Sequence, residues 1–217
     1  MKKVEHENKA EKTAEKKFKI LAISDTHNDV STILKMAEKA EKEDVDLVLL
    51  CGDITYFSKE TSNIIGPFLQ RGRKVMFIPG NHEDDATADF LSELYNVRNL
   101  HGDGVVYGDI GFFGCGKGNI PINMISDKES YDLLRAAYDK IKHAKKRIMV
   151  THVHPAGSKM EFMSKIVPGS VGVRKALDVL KPDILICGHV HEAAGLEETI
   201  GKTRVINVAK IGKIIEV

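Results

Sequence analysis

Five short polar segments of the chain carry side chains that could bind a metal ion or move a proton. They combine carboxylates, one amide and imidazoles, which are common ligands of transition metals in proteins. Most of the nine histidines lie in these segments, and only His6, His101 and His143 lie elsewhere. The segments are Ser24-Asp25-Thr26-His27, Gly52-Asp53, Gly80-Asn81-His82-Glu83, His152-Val153-His154 and Gly188-His189-Val190-His191.

The spacing within the segments favours a shared site over isolated turns and caps. Asp25 and His27 are two residues apart, as are His189 and His191, so each pair would project from one side of an extended backbone. Each residue also has a structural explanation: Asp25 could cap the helix predicted after it, and an asparagine such as Asn81 suits a left-handed turn. Five such segments together predict one metal centre.

Each polar segment follows a short apolar run that is predicted to be a β-strand. Apolar strands that alternate with amphipathic helices are typical of an α/β sheet covered on both faces. Ligands of such sheets bind outside the carboxyl ends of the strands, so the five polar segments are expected to meet in one crevice. The strands are predicted at 18–24, 45–51, 74–79, 147–151 and 183–187, and the helices at roughly 29–43, 59–72, 86–95, 127–144 and 170–181.

Two regions depart from this alternation and predict a second, mixed sheet packed against the first. Residues 104–116 are typical of a hairpin that turns at Gly108-Asp109, and residues 193–217 of three strands with turns near Ile200-Gly201 and Ile211-Gly212. Residues 18–217 are predicted to form a single domain. Residues 1–17, rich in lysine and glutamate, are predicted to be a charged, disordered extension, with a solvated helix as the alternative.

Composition limits the class of protein. An apolar fraction of 42% can supply one sizeable core, and no apolar run has the length of a membrane span. The net charge of +1 gives no electrostatic reason to expect nucleic acid or a membrane as a general partner. The N-terminus lacks the apolar region of a secretory signal, so we expect a cytoplasmic protein whose Cys51, Cys115 and Cys187 are buried and reduced.

The five segments, in this order, resemble the signature of the calcineurin-like metallophosphoesterases, and the similarity runs from about Phe18 over nearly the whole chain. The GNHE and GHxH blocks are the specific ones, and the chain resembles the compact prokaryotic members of phosphodiesterase type. This resemblance implies an α/β fold, a four-layer α/β/β/α sandwich of two mixed β-sheets flanked by helices. The matching blocks are Asp25-x-His27, Gly52-Asp53, Gly80-Asn81-His82-Glu83, His152 and Gly188-His189-x-His191.

The resemblance also implies two divalent metal ions. By analogy with the family Mn²⁺ is favoured, with Fe, Zn²⁺, Co²⁺ and Ni²⁺ as alternatives, because mixed nitrogen and oxygen ligands without a thiolate select strongly for none of them. The implied ligands are Asp25, His27 and His191 at one ion, Asn81, His152 and His189 at the other, and Asp53 bridging both.

The implied activity is hydrolysis of a P–O ester bond in a small phosphoester by in-line attack of a metal-bridging hydroxide. The predicted catalytic residues are His82, which would donate a hydrogen bond or proton to the leaving-group oxygen, and Asp53, which would help to hold it. A compact architecture without a cap favours a phosphodiesterase. A phosphomonoesterase or phosphoprotein phosphatase on the same site is the alternative, and it would need an added cation. The candidate cations are Lys117, Lys159, Lys165 and Arg174.

Two other functions on such a fold are disfavoured. A non-catalytic scaffold like the retromer subunit has an incomplete ligand set, whereas His82 and all the implied ligands are present here. A nuclease would be expected to carry an appended domain or a basic face rich in aromatic residues, and aromatic residues make up only 6% of this chain.

His154 and three short segments of the chain have further predicted roles. His154 could face away from the metals or contact substrate, and the segment 159–167 could be a substrate lid, a contact in a homo-oligomer or plain packing. The acids at 83–85 are expected in the first turn of the next helix, where they favour the helix dipole. Residues 207–210 depart from the Asn-Pro-Gly-Ser turn of many compact relatives, although Asn207 is expected to keep a contact to the metal-bearing loops.

Overall fold

The computed structural model describes residues 17–164 and 166–217. The predicted extension at 1–17 therefore lies almost wholly outside the described residues and stays a prediction. The strands are β1 (Lys19–Ile23), β2 (Leu47–Cys51), β3 (Lys74–Ile78), β4 (Arg98–Asn99), β5 (Gly104–Tyr107), β6 (Ile110–Cys115), β7 (Lys146–Thr151), β8 (Ile184–Cys187), β9 (Glu197–Ile200), β10 (Thr203–Asn207) and β11 (Lys213–Glu216). The helices are α1 (Val30–Lys42), α2 (Gly66–Gln70), α3 (Asp85–Tyr95), α4 (Asp127–Ile141), α5 (Lys159–Ser164) and α6 (Val171–Leu180), with a 3₁₀ turn at His191–Ala193.

The strands form two mixed sheets. The first has the order β11-β1-β2-β3-β4, in which only β11 is antiparallel to its neighbour. The second has the order β5-β6-β7-β8-β10-β9, with antiparallel pairs at its two edges and parallel strands between them. In both sheets the central strands are parallel, so their carboxyl ends point in a common direction within each sheet.

Alternating side chains of the strands supply three apolar layers. In β1, Ile20 and Ala22 point into the layer between the sheets, whereas Leu21 and Ile23 point to the opposite face. That opposite face packs on α1, α2 and α3. The outer face of the second sheet packs on α4, α5 and α6, which contribute residues such as Leu134. The predicted four-layer sandwich is therefore confirmed.

Helix α1 shows how local sequence fixes these elements. Asp29 caps its first turn, because its carboxylate accepts a hydrogen bond from the Thr32 backbone N–H at 3.1 Å. Ile33, Ala37 and Ala40 recur at helical spacing and form its buried face. Among the described residues, no helix combines the length and the apolar character needed to cross a membrane.

Some predicted elements differ from the observed ones. The five apolar strands do not share one sheet: β1, β2 and β3 lie in the first, whereas β7 and β8 lie in the second. The hairpin β5–β6 turns at Gly108-Asp109 as predicted. Of the three C-terminal strands, which were predicted in the second sheet, β9 and β10 lie there, whereas β11 pairs with β1 in the first sheet. The helix predicted at 59–72 is only α2, since Asn63 has a left-handed backbone and Pro67 lies at the helix start.

Candidate metal centre

All five predicted polar segments lie at the carboxyl ends of strands, directly after β1, β2, β3, β7 and β8. The two sheets therefore both contribute to one site, as the arrangement of apolar runs predicted. The potential ligand atoms form three groups, within each of which they lie no more than 4.8 Å apart. The groups are Asp25, His27 and His191; His27, Asp53 and His82; and Asp53, His152 and His189.

Asp53 lies at the centre of the cluster. It is buried, and its Oδ2 atom is 3.3 Å from His152 Nε2, 3.8 Å from His27 Nε2 and 3.9 Å from His82 Nε2. Its other oxygen accepts a hydrogen bond from the His82 backbone N–H at 2.9 Å. One carboxylate oxygen thus faces imidazoles from three different loops, which makes Asp53 the central candidate for a metal ligand.

Lone pairs converge around His152. Its Nδ1 atom is 3.0 Å from the Cys51 carbonyl oxygen, so in the neutral ring the proton lies on Nδ1 and Nε2 is an acceptor. That Nε2 faces Asn81 Oδ1 at 3.2 Å and His189 Nδ1 at 3.1 Å, besides Asp53. Several acceptors pointing at one another in a buried space need a cation or a proton between them.

The ionisation of the site follows from its burial and its two carboxylates. Burial opposes protonation of His152, but the charges of Asp53 and Asp25 outweigh it and raise the pKa of His152 to about 10. Burial lowers the pKa of His27 to about 4 and that of His189 to about 3, against the opposing effect of the carboxylates. Burial also disfavours ionisation of Asp53, yet the neighbouring His152 and His82 hold its pKa below the usual range.

The residues fit divalent metal ions. His27 Nδ1 and His189 Nε2 are buried nitrogens without a hydrogen-bond partner among the described residues. On the other side of the same rings, His27 Nε2 faces Asp53 Oδ2 at 3.8 Å and His189 Nδ1 faces His152 Nε2 at 3.1 Å. Imidazole nitrogens beside two buried carboxylates are the donor set of a transition-metal site. All seven sequence-predicted ligands are in this region: Asp25, His27, Asp53, Asn81, His152, His189 and His191.

The loops that hold the candidate ligands also carry backbone strain. Asp25, His27, Asp53 and His189 have φ values of 60°, 43°, 50° and 70°, in the left-handed region that residues other than glycine seldom adopt. Each costs about 1 kcal/mol or more and persists only where the surroundings fix it. A side chain at Gly80 would overlap the Asp53 carboxylate, so the glycine of the GN block is required by close approach rather than by its own φ.

Glu83 has a different place from the predicted one. Helix α3 begins at Asp85 and is capped by Asp84, which accepts from the Thr87 backbone N–H at 2.8 Å. The expectation of a first-turn role is therefore wrong for Glu83, and Asp85 is the acid in the first turn. Glu83 is fully buried beneath the site.

The Glu83 carboxylate joins the two central loops of the site. Its Oε2 accepts from the backbone N–H groups of Asp53 at 3.0 Å and Gly80 at 2.7 Å, and its Oε1 accepts from the N–H and hydroxyl of Thr55 at 2.7 and 2.8 Å. Burial and the charge of Asp53 raise its pKa to about 7, against these four donors. The sequence did not reveal this role because Glu83 is followed directly by two further acids. The available signal was that the N-cap of a helix requires only one acid, which leaves the others for different roles.

His82 is held from two sides. Its Nδ1 accepts a hydrogen bond from the Phe57 backbone N–H at 3.3 Å, so the proton of the neutral ring lies on Nε2. Burial lowers its pKa, which keeps the ring neutral near pH 7 despite the nearby Asp53. His82 is therefore a neutral donor whose Nε2–H faces the cluster of ligands.

Asn207, His154 and the three cysteines are all buried. Asn207 donates to the Val190 carbonyl at 2.9 Å, between two predicted ligands, so its expected contact with the metal-bearing loops is confirmed. His154 is fully buried, neither ring nitrogen has a partner in the described part of the chain, and burial lowers its pKa to about 4. Cys51, Cys115 and Cys187 are free and buried, as predicted.

Two of the candidate cations are engaged elsewhere. Lys117 forms an ion pair with Asp85 at 2.8 Å, and Arg174 forms one with Asp178 at 2.9 Å. Lys165 lies outside the described residues. The segment 159–167 begins with helix α5, in which Met160 is buried and Phe162 is exposed.

Comparison with known proteins agrees with this geometry. The family profile described as calcineurin-like phosphoesterase matches residues 18–193. An uncharacterized protein of Methanocaldococcus jannaschii, MJ1162, is 28% identical over 200 residues, which cover 88% of this chain and 88% of that protein.

Solved structures share the fold. The protein TT1561 of Thermus thermophilus matches with a TM-score of 0.73 and 14% identity over 93% of this chain and 99% of that chain. A dimetal phosphatase from Danio rerio matches with a TM-score of 0.60 and 11% identity, over 88% and 86% of the two chains. Phosphopantetheinyl hydrolase from Mycobacterium tuberculosis has a TM-score of 0.60 and 15% identity, over 89% of each chain. At these identities the likeness concerns the fold alone.

Proposed function

Because this chain belongs to the calcineurin-like phosphoesterase family of metal-dependent phosphoester hydrolases, we propose that it is a dinuclear phosphodiesterase acting on a small phosphoester. The observation that carries the proposal is the position of Asp53, which belongs to two of the three ligand groups, one with His27 and one with His152 and His189. A carboxylate shared in this way suits two ions better than one.

The ions would be held by the chain's own ligands in two sets. Asp25, His27 and His191 would hold one, Asn81, His152 and His189 the other, and Asp53 both. When bound, two divalent cations, with Mn²⁺ favoured, would supply an activated water for in-line attack and stabilise charge on the phosphoryl oxygens. The neutral amide of Asn81 limits the negative charge of the ligand set to two carboxylates, which suits an anionic ester.

His82 acts on the leaving group in this proposal. Its Nε2–H is fixed by the Phe57 N–H on Nδ1, and it would donate a hydrogen bond or the proton to the leaving-group oxygen. Asp53 supports it through the hydrogen bond to the His82 backbone. Lys117 and Arg174 are paired with acids, which favours a diester over a phosphate dianion as the substrate. A cytoplasmic location is part of the proposal and is supported by three free, buried cysteines.

The first test compares two chromogenic esters. Protein treated with EDTA and dialysed is supplied with Mn²⁺, Fe²⁺, Zn²⁺, Co²⁺ or Ni²⁺ and assayed with bis-p-nitrophenyl phosphate and p-nitrophenyl phosphate. We expect metal-dependent hydrolysis with the diester preferred, and Asp53→Asn should lose it. A strong preference for the monoester would favour a phosphatase, and hydrolysis of neither ester with any metal would contradict the proposal.

The role of His82 gives the second test. His82→Ala should keep its metal but lose activity by about 10²-fold or more on a diester with a poor alkoxide leaving group, and by less on p-nitrophenolate, which needs no proton. His143→Ala, at an exposed histidine beyond helix α4, is the matched control and should behave as the wild type. Loss of bound metal in His82→Ala, measured by elemental analysis, would instead make His82 a ligand.

A further inference from the structure

Two aromatic side chains that the proposed mechanism does not use lie beside His82. The ring centroids of Tyr56 and Phe57 are 5.4 and 4.2 Å from that of His82. The Tyr56 ring is also 6.1 Å from the ring of His27. The two aromatic rings stand at 77° to each other with centroids 4.6 Å apart. The pair, here called the aromatic shelf, therefore extends the row of site histidines toward the surface.

The two side chains of the aromatic shelf are only partly covered by the protein. Tyr56 is 52% exposed and Phe57 is 39% exposed, whereas Phe68, Phe77 and Phe112 are fully buried. Single exposed aromatic residues are common on protein surfaces. The informative observation is therefore the contact of these two rings with the proposed leaving-group donor.

The loop that carries the aromatic shelf has an unfavourable backbone conformation. Phe57 has a φ of 54° and Ser58 one of 56°, and a left-handed backbone is an outlier for a bulky residue such as phenylalanine. Phe57 and Ser58 fix the loop to His82 by three hydrogen bonds. The Phe57 N–H donates to Nδ1 at 3.3 Å, and the N–H and hydroxyl of Ser58 donate to the carbonyl oxygen at 3.0 and 3.2 Å. The Tyr56 N–H donates to the side chain of Asn28. Strain that the surroundings maintain in this way is typical of functional loops.

We propose that Tyr56 and Phe57 form a subsite that stacks on a flat ring of the substrate, which makes the substrate class nucleoside or aryl phosphoesters. This inference rests on the proposed function: a leaving group whose oxygen accepts a hydrogen bond from His82 would lie beside the rings that contact His82, and those rings form the aromatic shelf. Stacking of a base on an aromatic side chain is sequence-tolerant and contributes substantially to binding. The shelf thus selects a flat ring without choosing among bases.

The test uses two ligands that differ only by a base. Adenosine 5′-monophosphate and ribose 5-phosphate share the phosphate and the ribose, and each is measured as an inhibitor of bis-p-nitrophenyl phosphate hydrolysis. The wild type should bind the nucleotide about fivefold or more tightly than the sugar phosphate. Tyr56→Leu and Phe57→Leu should bring the ratio of the two inhibition constants towards one.

Two matched variants separate stacking from other effects. Tyr56→Phe keeps the ring and should keep the ratio, whereas loss of the ratio in this variant would assign the effect to the hydroxyl and contradict stacking. Phe90→Leu alters a ring that is also about half exposed, but on helix α3 and without a ring contact to a site histidine among the described residues, and should change nothing. If the shelf only positions His82, the leucine variants will slow turnover of every substrate and leave the inhibitor ratio unchanged. That result would overturn the inference.

A binding measurement keeps this inference separate from the proposed function. Calorimetric titration of the metal-loaded protein with each ligand requires no turnover, and it gives the same ratio directly. If the protein hydrolyses neither ester but binds the nucleotide about fivefold or more tightly than the sugar phosphate, the phosphodiesterase is refuted and the aromatic subsite is kept. If the protein shows metal-dependent hydrolysis but binds the two ligands equally tightly, the phosphodiesterase is kept and the aromatic subsite is refuted.

Discussion

At the residue scale, the candidate metal ligands depend on a buried side chain outside the proposed ligand set. Glu83 accepts hydrogen bonds from the backbone of both Asp53 and Gly80, so one buried carboxylate sets the distance between the loops after β2 and β3. The strained φ of Asp53 persists only because such bonds fix the loop around it. Alteration of Glu83 should therefore affect both stability and metal binding.

We expect Glu83→Gln to lower the free energy of unfolding by about 2 kcal/mol or more, because an amide NH₂ would face backbone donors that are left without an acceptor. Chemical denaturation of metal-free protein measures this change, and elemental analysis should show weaker metal retention. Asp84→Asn is the control, since asparagine also caps a helix, and it should cost little. Equal effects of the two substitutions would show that Glu83 is not a structural tie.

The candidate ligands could be named from the sequence because each of them lies within four positions after the end of a strand. The functions of Glu83, Tyr56 and Phe57 could not, because they depend on contacts between loops. The tautomer of His82, for instance, is set by the N–H of Phe57, which is distant in sequence. An apolar run shows where a strand ends and a loop begins, but it does not show which backbone groups of that loop contact another loop.

At the element scale, apolar runs located the strands well, since β1, β2, β3, β7 and β8 all lie within or within one residue of the predicted ranges. The division of these strands between two sheets was not predictable. Strands in either sheet have both faces covered and are equally apolar. Pairing of β11 with β1 joins the two ends of the described chain, and no local pattern encodes such a long-range register.

At the element scale, His101 ties the turn after β4 to the loop after β6. His101 Nδ1 accepts from the Gly116 N–H at 2.9 Å, and the next residue, Lys117, donates to the Pro79 carbonyl beside the site. Burial lowers the pKa of His101 below 6.5, with the charge of Lys117 acting in the same direction. A folded pKa below the unfolded one means that this stability is present above pH 6.5 and is lost as pH falls through the folded pKa.

The free energy of unfolding of the wild type should therefore fall as the pH is lowered from 7.5 to 5.5. In His101→Asn, whose amide oxygen can still accept from the Gly116 N–H, this fall should be smaller. Each unit of pKa depression corresponds to about 1.4 kcal/mol. Urea denaturation at both pH values gives the difference directly. Because other buried histidines also titrate, the comparison is between variant and wild type, and exposed His143→Asn should match the wild type.

At the scale of the whole molecule, the site lies where the two sheets meet. One apolar layer joins the sheets through β1, β2 and β3 on one side and β6, β7 and β8 on the other. Polar contacts at the carboxyl ends cross the same junction, since Asp53 belongs to the first sheet's loops and His152 and His189 to the second's. A cation bound by these residues would therefore stabilise the association of the sheets.

Metal removal should consequently lower the thermal stability of the entire fold. A ligand that binds only the folded state at 100 times its dissociation constant contributes about 2.7 kcal/mol, which for a chain of this size raises the melting temperature by about 5–10 °C. Differential scanning calorimetry of EDTA-treated protein, with and without added Mn²⁺, measures the shift. Asp53→Ala, which removes the shared carboxylate, should strongly reduce the shift, and His143→Ala should keep it in full. An unchanged melting temperature on addition of every metal tested would contradict the assignment of these residues as ligands, whatever esters the protein hydrolyses.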